Sequence, residues 1–80
     1  MEEVILAPII GSDDGEAILS SWTVSIGDEI KKGQIIGLIE TNKAVINLES
    51  TKNGVVKEFL VTQGAEIVDL QALVIVLMKE

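Results

Sequence analysis

Lys43 stands in the run Glu40-Thr41-Asn42-Lys43-Ala44, between two halves of the chain that resemble each other. A lysine held at the tip of a turn presents a primary amine, to which a cofactor can be covalently attached and carried. Five other lysines (Lys31, Lys32, Lys52, Lys57 and Lys79) read as ordinary surface residues, with Lys31 and Lys32 flanking a turn and Lys57 on an exposed strand face. Glu40 and Glu49 could be paired as catalytic carboxylates. They flank a two-stranded turn, however, and no other catalytic group accompanies them. Asp13, Asp14 and Glu16 lack the spacing of a calcium loop and read as a solvated acidic loop. The glycines show no phosphate-binding spacing. Trp22 reads as a core or half-buried packing residue. There is no cysteine and no histidine, so thiolate nucleophiles, disulfides, Cys-based zinc sites and imidazole acid–base chemistry are all excluded.

The elements that must hold Lys43 follow from an internal repeat. A shift of 37 residues lays ILSSWTVSIGDEIKKGQIIGLIE (18–40) on VVKEFLVTQGAEIVDLQALVIVL (55–77). Trp22 falls on Phe59, Val24 on Val61, Gly27 on Gly64, Glu29 on Glu66, Ile30 on Ile67, Gln34 on Gln71 and Leu38 on Ile75. The spacing of Ile67, Leu70, Val74 and Met78 admits an amphipathic helix. The matching segment of the first half carries Gly33 and Gly37, which a helix interior resists. Both segments are therefore read as a tight turn followed by a strand. Gly27-Asp28, Lys32-Gly33 and Gly64-Ala65 mark turns. Asn53-Gly54 predicts a hairpin between residues 44–50 and 55–61. The first of these strands alternates, with Ala44, Ile46 and Leu48 on one face and Val45, Asn47 and Glu49 on the other. The phase of the second is unclear, because both its faces carry apolar residues.

These short strands and regular turns predict an all-β fold. It is a flattened β-barrel or sandwich of two small antiparallel sheets, with an internal pseudo-two-fold repeat and a hairpin near Thr41-Asn42-Lys43 at the join. Eighty residues suit one domain, taken as 1–80. The core must be aliphatic, since the chain has one Trp, one Phe and no Tyr. With no arginine and a net charge of −7, the chain is predicted to bind neither nucleic acid nor anionic membranes, and to be steered toward basic protein surfaces. The acidic start and short apolar runs predict no secretory segment and no spanning helix, hence a cytoplasmic domain.

The segment IETNKAVINLES resembles the lipoylation hairpin of lipoyl domains, found in the acyltransferase components of 2-oxo acid dehydrogenase complexes. Members of that family read Glu-Thr-Asp-Lys-Ala at this point. The resemblance covers nearly the whole chain and includes Pro8, Gly15-Glu16, Val24-x-x-Gly27-Asp28, Gly54-x-Val56-x-Glu58 and Gly64. It implies that Lys43 carries lipoic acid in amide linkage, with Thr41, Asn42 and Ala44 forming the attachment turn. It further implies a lipoyl ligase or transferase, a 2-oxo acid decarboxylase and dihydrolipoamide dehydrogenase as partners. The domain itself would be a monomeric, non-catalytic carrier. Glu40, Glu49 and the loop residues Ser12, Asp13 and Asp14 are the implied recognition residues, the loop lying close to the lysine turn. Asn42 departs from the family's aspartate: it tolerates the turn but removes a charge beside the lysine.

Two other readings share the fold. Biotinyl carrier domains of carboxylases place Met on both sides of their lysine, whereas Asn42 and Ala44 flank Lys43 here. An unmodified docking module would use the same hairpin without any attachment. A free-standing enzyme lacks a credible acid–base pair or nucleophile.

Overall fold

Among the described residues, alternating aliphatic residues punctuated by glycine turns fold into seven strands. They are β1 (Glu2–Leu6), β2 (Ala17–Trp22), β3 (Glu29–Ile30), β4 (Ile35–Thr41), β5 (Val45–Glu49), β6 (Gly54–Phe59) and β7 (Ala72–Met78). The structure, a computed structural model, describes residues 1–10 and 17–78. One antiparallel sheet has the order β1-β7-β6-β3 and the other β2-β4-β5. The described residues contain no helix long and apolar enough to cross a membrane.

The repeat of the sequence is a repeat of the backbone. Ile18 bridges Glu66, and its counterpart Val55 pairs with Glu29, so each sheet is completed by a short segment from the other half, the two-residue β3 in one and Glu66 in the other. The Gly27 amide donates to Val56 O at 2.8 Å, and the Gly64 amide donates to Leu19 O at 2.7 Å. Ladder irregularities recur between Leu19 and Ser21 in β2 and between Val56 and Glu58 in β6. The outer strands β1 and β5 correspond with a shift of 43: the Ala7 amide donates to Gln71 O, as the Ser50 amide does to Gln34 O. Trp22 and Phe59, which are counterparts, stack with centroids 4.4 Å apart. The indole Nε1–H also donates to Val61 O at 3.2 Å, so Trp22 is a half-buried packing residue, as expected from the sequence.

Between the sheets lies an aliphatic core containing Ile5, Leu19, Ile30, Ile36, Ile39, Leu48, Val56, Ile67, Leu73, Val74 and Val76. Removing each such side chain from water contributes roughly 1.5–3 kcal/mol. The one buried polar residue of the described set, Ser50, is satisfied locally: its hydroxyl donates to Lys52 O and accepts from Lys52 N.

The hairpin expected at Asn53-Gly54 does not form. β5 pairs with β4 and β6 pairs with β7 and β3, so this segment carries the chain from one sheet to the other. Gly54 is not among the glycines with positive φ. It is required by crowding instead, because a Cβ there would lie 2.2 Å from Leu77 O and 2.7 Å from Val76 Cγ1. The unclear phase of residues 55–61 also has a cause. The irregularity between Val56 and Glu58 interrupts the alternation at Lys57. By contrast, Gly27, Gly33 and Gly64 do adopt positive φ, as their turn positions predict.

Candidate functional site

β4 and β5 form the hairpin at the join of the two halves, with Glu40 opposite Val45 as the last ladder pair. The strands are anchored by their inward residues: Ile39 and Leu48 are buried, and Ile46 packs against the core. Beyond Glu40 the chain turns through Thr41, Asn42, Lys43 and Ala44. The turn is closed by the Thr41 amide donating to Ala44 O at 2.9 Å. The Thr41 hydroxyl adds three bonds, donating to Ala44 O at 3.1 Å and accepting from Lys43 N at 3.2 Å and from Ala44 N at 3.0 Å. One donor and two lone pairs are all a hydroxyl has, and here all are used within the turn.

Asn42, Lys43 and Ala44 are exposed, and Thr41 is half-buried beneath them. Lys43 makes no ion pair among the described residues, whereas Lys52 pairs with Glu3 at 3.4 Å and Lys57 pairs with Glu2. The turn therefore presents one exposed primary amine on a backbone fixed by four hydrogen bonds. Such an amine is accessible to an enzyme that acylates it, and it requires no other chemistry from the chain.

The other residues singled out from the sequence are distributed differently. Glu40 adjoins the turn. Glu49 closes the far end of β5, opposite Ile35, roughly 14 Å along the strand from Val45. The two carboxylates are thus not brought together, and only Glu40 borders Lys43. Ser12, Asp13, Asp14 and Glu16 lie outside the described residues. Ile18 has a place that no motif signals. It sits opposite Glu40, is 39% exposed, and lines an open depression of about 180 Å³ with Glu40, Thr41 and Asn42. The register of the repeat was the available clue, since it sets residue 18 at the start of a strand beside the hairpin.

Comparison with known proteins places the chain in a family and its fold among solved structures. The family described as "Biotin-requiring enzyme" (Biotin_lipoyl) matches residues 3–77. The dihydrolipoyllysine-residue acetyltransferase component of the pyruvate dehydrogenase complex of Rhizobium meliloti (strain 1021) is 37% identical over 76 residues. That match covers 95% of this chain and 17% of the relative, so the chain spans about a sixth of the relative's length. Among solved structures, the lipoyl domain of the 2-oxoglutarate dehydrogenase complex from Azotobacter vinelandii superposes with a TM-score of 0.67 at 23% identity, covering 89% of this chain and 92% of that one. Kluyveromyces lactis urea carboxylase superposes with a TM-score of 0.74 at 17% identity, covering 96% of this chain and 6% of that one. At these identities the two superpositions establish the shared fold.

Proposed function

This chain belongs to the Biotin_lipoyl family, and we propose that within it residues 1–80 form a lipoyl carrier domain, with Lys43 holding lipoic acid in amide linkage. The observation that carries the proposal is the braced turn of Thr41 to Ala44, which exposes the Lys43 amine at the tip of a core-anchored hairpin. The residues fit the group, because attachment needs only an accessible ε-amine on an ordered backbone. Bound lipoate supplies the acyl- and electron-transfer chemistry of its sulfurs. The chain holds the anchor point and, through the tether, raises the concentration of the arm at each partner site.

Lipoate is favoured over biotin by the neighbours of the lysine. Asn42 and Ala44 stand where a biotinyl domain would carry methionines, and Met1 and Met78 meet elsewhere, at the ends of β1 and β7. The acetyltransferase relative, whose own name specifies a dihydrolipoyllysine residue, points the same way. The domain would then serve a cytoplasmic 2-oxo acid or acetoin-type dehydrogenase complex. A lipoyl ligase or transferase would load it, a decarboxylase component would acylate it, and dihydrolipoamide dehydrogenase would reoxidise it. Glu40, on the rim of the turn, is the described acidic residue best placed for recognition; Glu49 is a second candidate at the far end of the hairpin.

The test is a choice of cofactors. The purified chain is incubated with lipoate and a lipoyl ligase, and separately with biotin and a biotin ligase. Intact mass and streptavidin binding are then read. A lipoyl adduct with no biotin adduct is expected; biotinylation alone would make this a carboxylase carrier, and no adduct from either active ligase would leave an unmodified docking module. Asn42→Asp is expected to leave attachment unchanged and to speed acylation by the decarboxylase. Equal acylation rates would remove Asn42 as a determinant of that step.

A further inference from the structure

The two-fold repeat offers an internal control for the lysine turn. The shifts of 37 and 43 residues carry Thr41 onto Met78 and Ala44 onto Met1. There the Met78 amide donates to Met1 O at 2.8 Å, matching the Thr41 amide bond to Ala44 O at 2.9 Å. That backbone bond therefore belongs to the frame shared by both halves. The three bonds of the Thr41 hydroxyl do not, because a methionine occupies the equivalent position and has no hydroxyl. Closing the strand pair does not require the hydroxyl, which acts only on Lys43 and Ala44.

We propose that Thr41 is the positioning residue for modification of Lys43, its hydroxyl fixing the backbone on which the amine is offered to the attaching enzyme. This rests on the carrier reading above. The hydroxyl holds the amides of the acceptor lysine and of the residue after it, and closes on the Ala44 carbonyl. Without it those amides turn to water, which costs the fold little because Lys43 and Ala44 are exposed. The turn then samples more conformations, and the ligase binds only the fraction in the competent geometry. The loss therefore falls on recognition and not on the chemical step.

The test compares Thr41→Val, which keeps the shape and removes the hydroxyl, with Thr41→Ser, which keeps the hydroxyl. Lipoylation by a purified lipoyl ligase is measured as KM and kcat for the domain, together with melting temperature and amide hydrogen exchange. For Thr41→Val we expect KM to rise roughly tenfold with kcat within about twofold. The melting temperature should be nearly unchanged, and exchange should accelerate at Lys43 and Ala44 alone. Thr41→Ser should restore KM to within about twofold of wild type. An unchanged KM in Thr41→Val, or a Thr41→Ser variant as impaired as Thr41→Val, would overturn the role of the hydroxyl. Unchanged exchange at Lys43 and Ala44 would also overturn it. A wild-type chain that the ligase does not take would instead overturn the lipoyl reading, and this inference with it.

Discussion

The corner built from residues 31–34 and 50–53 and the corner built from residues 68–71 and 7–10 share a backbone and differ in surface. The Gly33 amide donates to Ser50 O as the Leu70 amide donates to Ala7 O. Gln34 Oε1 accepts from Lys31 N as Gln71 Oε1 accepts from Val68 N. A side-chain bond then joins the two segments of each corner, with the direction reversed: Lys32 N donates to Asn53 Oδ1, and Ile10 N donates to Asp69 Oδ1. On this common frame the first corner displays Lys31, Gly33 and Lys52 with the adjoining Glu49, where the second displays Val68, Leu70 and Ile9 with the adjoining Leu6, the four apolar residues being exposed. Core contacts and amide bonds fix the frame, and exposed positions are free to diverge. Lys43 has no counterpart among the described residues. It lies on a strand-end closure whose counterpart joins Met1 to Met78.

The largest expected effect breaks the symmetry at its tightest point. Gly54→Ala should destabilise the domain by about 3 kcal/mol or more, since its Cβ would meet the β7 backbone. The counterpart in the first half, Ala17, already carries a Cβ while buried in the same frame. Chemical denaturation of the variant checks this, and an unchanged midpoint would show that β6 and β7 can separate without loss.

Next come Gly27→Ala and Gly64→Ala, at φ values of 94° and 92° with no atom within 4 Å of the added Cβ. Both should cost roughly 1 kcal/mol through backbone strain alone, and by equal amounts if the halves are equivalent. Thermal melts should show matched drops of about 4–8 °C. The smallest effect concerns Leu70, the one non-glycine residue at positive φ (62°) among the described residues, where the first half has Gly33. Leu70→Gly should stabilise by roughly 0.5 kcal/mol, as strain relief exceeds the added chain entropy. A lower melting temperature would mean that the exposed leucine contributes packing that outweighs its strain.

The repeat, the all-β class, the glycine turns and the lysine hairpin were legible because each leaves a local mark: an aligned glycine, a period of two, a polar run between apolar ones. Three features were not. Asn53-Gly54 carries a hairpin signal, yet turn chemistry is blind to which sheet the next strand will join, and Gly54 answers to crowding from Leu77 and not to φ. The alternation of β6 is broken by an irregularity at Lys57 that depends on its partner β7. The separation of Glu40 from Glu49 follows from the β4–β5 register, whereas along the sequence they merely flank the same turn. Thr41 was visible as a turn residue, but its three hydroxyl bonds emerge only once the turn is closed.

The most direct measurement is peptide mapping of the chain after reaction with lipoate and a lipoyl ligase, alongside Lys43→Arg. Six lysines compete for modification. A single lipoyl group on Lys43 is predicted for the wild type and none for Lys43→Arg, which should retain the wild-type melting temperature because the side chain is exposed and unpaired among the described residues. A lipoyl group on another lysine, or one that persists in Lys43→Arg, would contradict the assignment of this turn as the attachment site.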